Sequence, residues 1–246
     1  MYSDHYTEPW RTPLVTHLVF VDGRLVESWQ EPAVGTEWEP HVRPPAPPPP
    51  PPPPPVHEQV HTWLESVCGG RAAVEGLTAE PLDDDVIDLP VEYPQAAQRQ
   101  RMEATAELLD SVAARLFDQE MSYAFRHALL ALWADDPDSV TRASTAAHLA
   151  AGICWAVGKA NGTFHPVGTK RVGTIQDAFD LRSAASSYGT VVASTLRGFR
   201  PHAERWGRPA GVPDLEPLGR PELLTGATRA RLIRLRDRAR AAAAAA

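Results

Sequence analysis

Apolar positions recur along this chain with two different periods, and the change from one to the other divides it. Over residues 14–29 they alternate: Leu14-Val15-Thr16-His17-Leu18-Val19-Phe20-Val21 and Arg24-Leu25-Val26-Glu27-Ser28-Trp29 flank Asp22-Gly23, a dipeptide suited to a two-residue turn with positive φ at both central positions. A β-hairpin is expected there. A lone hairpin is marginal in water, so it must pack on the helical body, pair with another edge or stay loosely formed. From Val56 the period is that of a helix. Val60, Trp63, Leu64, Val67 and Cys68 form one stripe that stops at Gly69-Gly70, as at a C-terminal cap, and residues 71–77 make a shorter helix. Pro94 can open a long helix through Phe117 with Thr105, Leu108, Leu109, Val112, Leu116 and Phe117 inward. A following helix over 121–134 buries Phe125, Leu129, Leu132 and Trp133 and breaks at Asp135-Asp136-Pro137. Residues 139–160 alternate small and apolar side chains and end at Asn161-Gly162, which predicts the central helix of a bundle, closely approached by its neighbours.

Beyond the loop 163–173, Thr174-Ile175-Gln176-Asp177 has the form of a capped helix start, the hydroxyl capping and the carboxylate reaching back. That helix runs to about Leu181. A polar turn, 182–186, leads to a second helix over 187–199 that buries Tyr188, Val192, Thr195 and Phe199 and leaves Ser187, Thr190, Ser194 and Arg197 on the open face. Two short helices joined by a tight turn and backed by a long buried helix have the form of a helix-turn-helix, whose second helix enters the major groove.

Composition refines this outline. Residues 44–55 are almost all proline, unbroken from Pro47 to Pro55, a polyproline II spacer reaching roughly 37 Å at about 3.1 Å per residue, or a ligand for a proline-reading domain. The expected organisation is a hairpin arm with an acidic, Pro-containing segment over 1–43, the proline linker 44–55, an α-helical domain over 56–240 and a poly-Ala tail 241–246. Residues 83–90 form an acidic loop within the helical domain. The fold class is mainly α: a helical bundle with a helix-turn-helix-like part at 174–199 and a basic C-terminal helix at 227–240, plus the N-terminal hairpin. No leader-like apolar run opens the chain. The most apolar stretch, 146–160, is too short to span a bilayer. Cys68 and Cys154 imply neither a disulfide framework nor a zinc site. A soluble protein of the reducing cytoplasm, with no membrane partner, is expected.

Charge supplies the main functional clue. Residues 1–155 hold 9 Lys/Arg against 24 Asp/Glu, a net of −15, whereas 156–246 hold 15 against 7, a net of +8. The basic half coincides with the helix-turn-helix pattern and ends in a helix carrying Arg229, Arg231, Arg234, Arg236, Arg238 and Arg240. Such a block faces a polyanion, so DNA or RNA is the implied partner. The alternatives are that the arginines form a solvated face, or that they dock the helix on the acidic half. The residues expected to contact nucleic acid are Lys170, Arg171, Thr190, Ser194, Arg197, Arg200, Arg231, Arg234 and Arg238. Base readout favours long bidentate donors, and the open face of the second helix offers only Arg197 of that kind, so the expected contacts are mostly to phosphate. The alternative function is an adaptor in which hairpin, acidic segment and proline run form a partner-binding arm.

The stretch His148-Leu149-Ala150-Ala151-Gly152-Ile153-Cys154-Trp155-Ala156-Val157-Gly158-Lys159-Ala160-Asn161-Gly162, with the pair of helices after it, resembles the end of the cyclin-fold repeat of transcription factor IIB and its archaeal relatives over 144–200. There an Ala-rich helix ending in Asn-Gly precedes a helix-turn-helix, which implies DNA contact. That family's turn is Phe-Gly-Leu followed by Ser-x-Ser-Gln-Arg. This chain has Phe179-Asp180-Leu181 and then Ala185-Ser186-Ser187-Tyr188-Gly189. The region from Cys68-Gly69-Gly70-Arg71 to Leu235-Arg236-Asp237-Arg238 also resembles a family of high-GC bacterial proteins built on a domain of unknown function, which implies no activity.

Motifs of catalysis are weak. His57-Glu58-Gln59-Val60-His61 satisfies the zincin pattern, whose i and i+4 imidazoles bind zinc while the glutamate activates water. Here Pro55 and Val56 precede it, so His57 falls in the first helical turn. The positions that would complete the metzincin form are Leu64 and Val67. A zinc hydrolase is therefore the distant alternative, and the expectation is a non-enzymatic protein with no metal or cofactor. Cys154 and His148, six apart, lie on different helix faces, and Cys154 is expected to be a buried, inert thiol. Lys170 with Gly168 and Gly173 lacks the spacing of a phosphate-binding loop.

Overall fold

The structure is a computed structural model in which residues 14–41, 52–83, 88–198 and 208–245 are described. The expected proline run falls outside them up to residue 51, as do Phe199, Arg200 and residues 84–87 of the acidic loop. The chain divides into two units at Pro52/Pro53.

The first unit is the hairpin, β1 Leu14–Val21 against β2 Arg24–Pro32. Asp22 and Gly23 have φ of 50° and 77°, the doubly left-handed turn that Asp-Gly permits and that matches the twist of the strands. Register shifts between Val19↔Glu27 and Phe20↔Leu25, which leaves Val26 as a bulge. His17 stacks on Trp29 with ring centroids 4.7 Å apart. Its Nε2 pairs with Glu31 at 2.8 Å.

The second unit is helical. Helix α1, Val56–Cys68, buries the expected Val60, Trp63, Leu64, Val67 and Cys68, and Gly69 closes it at φ 89°. After α2, Arg71–Glu75, comes α3, Ala96–Leu116. It begins two residues beyond Pro94, and Leu108, Leu116 and Phe117 are only half-buried while Gln98, Met102 and Ala106 lie inside. Helix α4, Gln119–Asp135, starts at Asp118, whose carboxylate accepts the Met121 N–H at 2.9 Å.

The single helix expected over 139–160 is two. Helix α5, Ser139–Arg142, ends at Ala143 in an extended conformation, and α6, Ala146–Ala160, begins afresh. Two contacts cause the break: Arg101 takes the Ala143 carbonyl at 2.5 Å, and the Thr145 hydroxyl accepts the His148 N–H at 3.2 Å as a new N-cap. Helix α6 is the centre of the bundle, buried without interruption from Leu149 to Gly158 and packed against α3, α4 and α8.

Helix α7, Gly173–Ala178, begins one residue before the expected cap. Thr174 lies within it and makes no side-chain cap. The following turn carries Asp180 at φ 49°, with the Leu181 N–H returning to the Gln176 carbonyl at 3.0 Å. Helix α8, Ala185–Arg197, buries Ala185, Gly189, Val192, Ala193 and Leu196. Its inner face is thus turned from the expected one: Tyr188 and Thr195 are half-buried and small residues take the centre. Gly189 lies so close to Trp155 that a Cβ there would be 2.4 Å from the indole, and one on Gly152 would be 2.8 Å from Tyr188. Finally α9, Gly226–Ala244, absorbs most of the expected poly-Ala tail and packs along α1. No helix among the described residues is long and apolar enough to cross a membrane.

Candidate phosphate-binding face

Helix α9 is fixed at its start by side chains from two other helices. Asn161, just past α6, accepts the Thr225 N–H at 2.7 Å and donates to the Leu223 and Val157 carbonyls at 2.8 and 3.0 Å. Glu120 of α4 accepts the Gly226 N–H at 2.6 Å and the Leu82 N–H at 2.9 Å. Thr225 itself caps the helix, accepting from Thr228. These contacts satisfy donors left open at a helix start and set its rotation. Sequence reasoning missed all three residues, reading Asn161 only as a stop signal and giving Glu120 and Thr225 no role.

With Leu232, Leu235 and Ala239 buried, the six arginines of α9 divide by face. Arg229 donates to the Glu80 carbonyl. Arg236 donates to the Val74 and Glu75 carbonyls at 3.1 and 3.3 Å and pairs with Asp237 at 2.9 Å. Arg240 pairs with Glu75, and its hydrogen bond holds that carboxyl below its ordinary range. These three tie α9 to the α1–α2 corner and the segment after it, but only Arg240 meets an acidic side chain there; Arg229 and Arg236 dock on backbone carbonyls. Arg231, Arg234 and Arg238 point to solvent and have no ion-pair partner among the described residues. At i, i+3 and i+7 they share one face, with the outer two about 10 Å apart along the axis at about 1.5 Å per residue.

Lys170 joins this face from the loop before α7. The loop is pinned by backbone bonds from Lys170 to Thr163 at 3.2 Å and from His165 to Lys170 at 2.8 Å. Lys170 Nζ stands 5.4 Å from the centre of the Phe117 ring, a cation–π distance. Lys170 and Arg231 both line a cleft of about 480 Å³ whose other walls include Phe117, Asp118, Met121 and Asn161. Arg231 is shared with a second concavity bounded by Arg234, Asp237 and Arg238. Arg238 is shared with a third, lined by Val56, His57, Val60, Leu235 and Ala239. Three cations thus follow one another along α9, with Lys170 beside the first of them.

The other expected contacts lie elsewhere. Arg171 is exposed on the same loop, while Thr190 and Ser194 are exposed on α8, which packs on α6, α4 and α7. Arg197 is not on an open face: it pairs with Glu216 at 2.7 Å and donates to the Pro217 carbonyl at 2.9 Å, its side chain only 21% exposed. Arg200 lies outside the described residues. The α8 surface therefore presents hydroxyls and Val191, with no bidentate donor among the described residues.

His57 and His61 occupy the first turns of α1, half-buried. No group of three His, Cys, Asp or Glu side chains able to hold a metal occurs among the described residues. Both cysteines are buried and free. Burial pushes the Cys68 thiol up to about 12 and raises that of Cys154 as well, so neither supplies thiolate at neutral pH. His148 bridges Thr145 and Ser183 at 2.7 and 3.2 Å, holding the start of α6 to the turn before α8. Compared with family models, curated proteins and solved structures, the chain matches none.

Proposed function

We propose that the protein is a non-enzymatic nucleic-acid-binding protein that grips phosphates along α9. The observation that carries this reading is the row of Lys170, Arg231, Arg234 and Arg238, without ion-pair partners among the described residues, three of them on a helix anchored by its buried side and Lys170 on the pinned loop beside it. Cations spaced along a helix meet a phosphate backbone in a fixed register, and each releases counterions on binding. The α7–turn–α8 segment is a degenerate helix-turn-helix in this proposal. Its support is the turn: Asp180 takes the left-handed conformation that Asp tolerates, at the place where the resembling repeat has glycine. Because α8 offers Thr190 and Ser194 rather than Arg, Asn or Gln, binding is nearly independent of sequence. With four phosphates engaged on duplex DNA, log K falls with log salt at a slope of about −3.6, and Arg234→Ala with Arg238→Ala brings it to about −1.8. Fluorescence anisotropy over a salt series tests this. Absence of binding to DNA and RNA at low salt overturns it.

A second reading rests on the hairpin, where Leu14, Leu18 and Phe20 on alternate positions of β1 are 56%, 54% and 58% exposed. An exposed apolar row of this kind serves a protein partner, with the proline run as a second contact. Titration of the full chain with an isolated proline-reading domain tests it.

A further inference from the structure

We infer that the cleft between Lys170 and Arg231 is a subsite for a phosphomonoester. This rests on the phosphate-directed reading of α9 and deepens it: the row of cations would recognise strand ends as well as backbone. Lys170 and Arg231 come from different elements, the loop before α7 and the second turn of α9, and both line the same cleft. Neither has an ion-pair partner among the described residues. Two of the first backbone donors of α9 are already taken, the Gly226 N–H by Glu120 and the Thr228 N–H by Thr225. The anion site rests on the two side chains.

A phosphodiester carries one negative charge and two free oxygens, whereas a phosphomonoester carries about −1.5 to −2 at neutral pH and has three. Lys170 and Arg231 against Asp118, the acid on the lining, leave the cleft a net positive charge, and the extra oxygen and charge of a monoester let it meet both cations at once. Asp118 already accepts the Met121 N–H at 2.9 Å. The remaining wall sets apolar Leu116, Phe117 and Met121 beside polar Asn161, Thr163, Thr225 and Thr228. The apolar part gives the sugar or base next to the phosphate a surface to cover. A cleft of about 480 Å³ falls within the range of small-molecule sites. The chemistry recognised is therefore a phosphomonoester attached to a ring-bearing body, from a strand terminus or from a free mononucleotide.

The test compares one single-stranded 12-mer with a 5′-phosphate, a 3′-phosphate or hydroxyl ends, by anisotropy, on wild type, Lys170→Ala, Lys170→Arg and the Arg234→Ala/Arg238→Ala pair. Wild type should prefer one phosphorylated end by about tenfold, the effect of one charge-assisted contact. Lys170→Ala should lose that preference, Lys170→Arg should keep it, and the α9 pair should weaken all three strands while preserving it. Adenosine 5′-monophosphate displacing the phosphorylated strand at equal affinity supports the subsite and identifies a free nucleotide as its ligand. Wild type binding all three strands equally overturns the subsite and leaves the reading of α9 intact. Strands that do not bind overturn that reading, and the subsite is then decided by calorimetric titration with adenosine 5′-monophosphate: Lys170-dependent heat supports it and absence of heat overturns it.

Discussion

Replacing Gly189 by alanine tests the packing that positions α6 and α8. The added methyl would stand 2.4, 2.6 and 2.9 Å from Cε3, Cδ2 and Cγ of Trp155, well inside the ~3.5 Å at which carbon atoms attract. Trp155 is 7% exposed and sits on the buried central helix, so its indole cannot swing away without disturbing α6. Overpacking of this kind costs about 1–3 kcal/mol. Helix propensity acts the other way, because alanine in mid-helix is favoured over glycine by about 0.8–1.0 kcal/mol. The 2.4 Å contact puts the steric cost at the upper end of its range, for a net loss of about 2 kcal/mol. In a domain of this size that corresponds to a fall in Tm of about 4–8 °C. Gly173 provides the control: it opens α7, has nothing within 4 Å of a Cβ and lacks a positive φ. Gly173→Ala should therefore be neutral or slightly stabilising. Urea and thermal unfolding of both variants decide the matter. A Gly189→Ala protein as stable as Gly173→Ala would refute the close approach of α8 to α6.

Asn161→Ala should destabilise by about 2–3 kcal/mol, since it strands the Thr225 N–H and the Leu223 carbonyl at the start of α9. Hydrogen exchange of the first α9 amides should accelerate more than that of α3, and equal protection would count against the tie. The cysteines set an alkaline limit. Burial raises the Cys68 thiol from 9.0 to about 12, so above pH 9 the unfolded chain loses a proton that the folded chain retains. Stability contributed by the neutral buried thiol is complete below pH 9 and is lost as pH rises toward about 12. Urea midpoints of Cys68→Ala should decline less steeply than wild type across that window, and parallel profiles would contradict the burial of the thiol.

The hydrophobic pattern reveals elements whose inner face is made of large residues and hides those made of small ones. The α1 stripe of Val60, Trp63, Leu64 and Val67 could be read directly because each side chain announces its own burial. Helix α8 could not, since Gly189 and Ala193 bury backbone rather than side chain and the weight of Tyr188 and Thr195 pulls the apparent face away from α6. The break at Ala143 is equally silent, because its cause is a guanidinium 42 residues earlier. The candidate site shows the same division. Arg231, Arg234 and Arg238 were legible from helical spacing alone, given which leucines point inward. The loss of Arg197 to Glu216 was not, because Glu216 lies in an irregular segment with no period to place it.

The net +8 of residues 156–246 therefore overstates what a polyanion meets. Arg229, Arg236 and Arg240 hold α9 to the α1–α2 corner, and Arg197 and Lys159 meet Glu216 at 2.7 and 3.7 Å. On the proposed reading, charge committed to the fold releases no counterions, so the salt slope counts the four cations of the α9 face, not the basic residues in the sequence. A duplex slope much steeper than about −3.6 would then mean that binding breaks those internal pairs, and the α1–α2 corner would loosen from α9 as DNA engages. Such loosening would appear as faster exchange of the α2 amides in the complex than in the free protein.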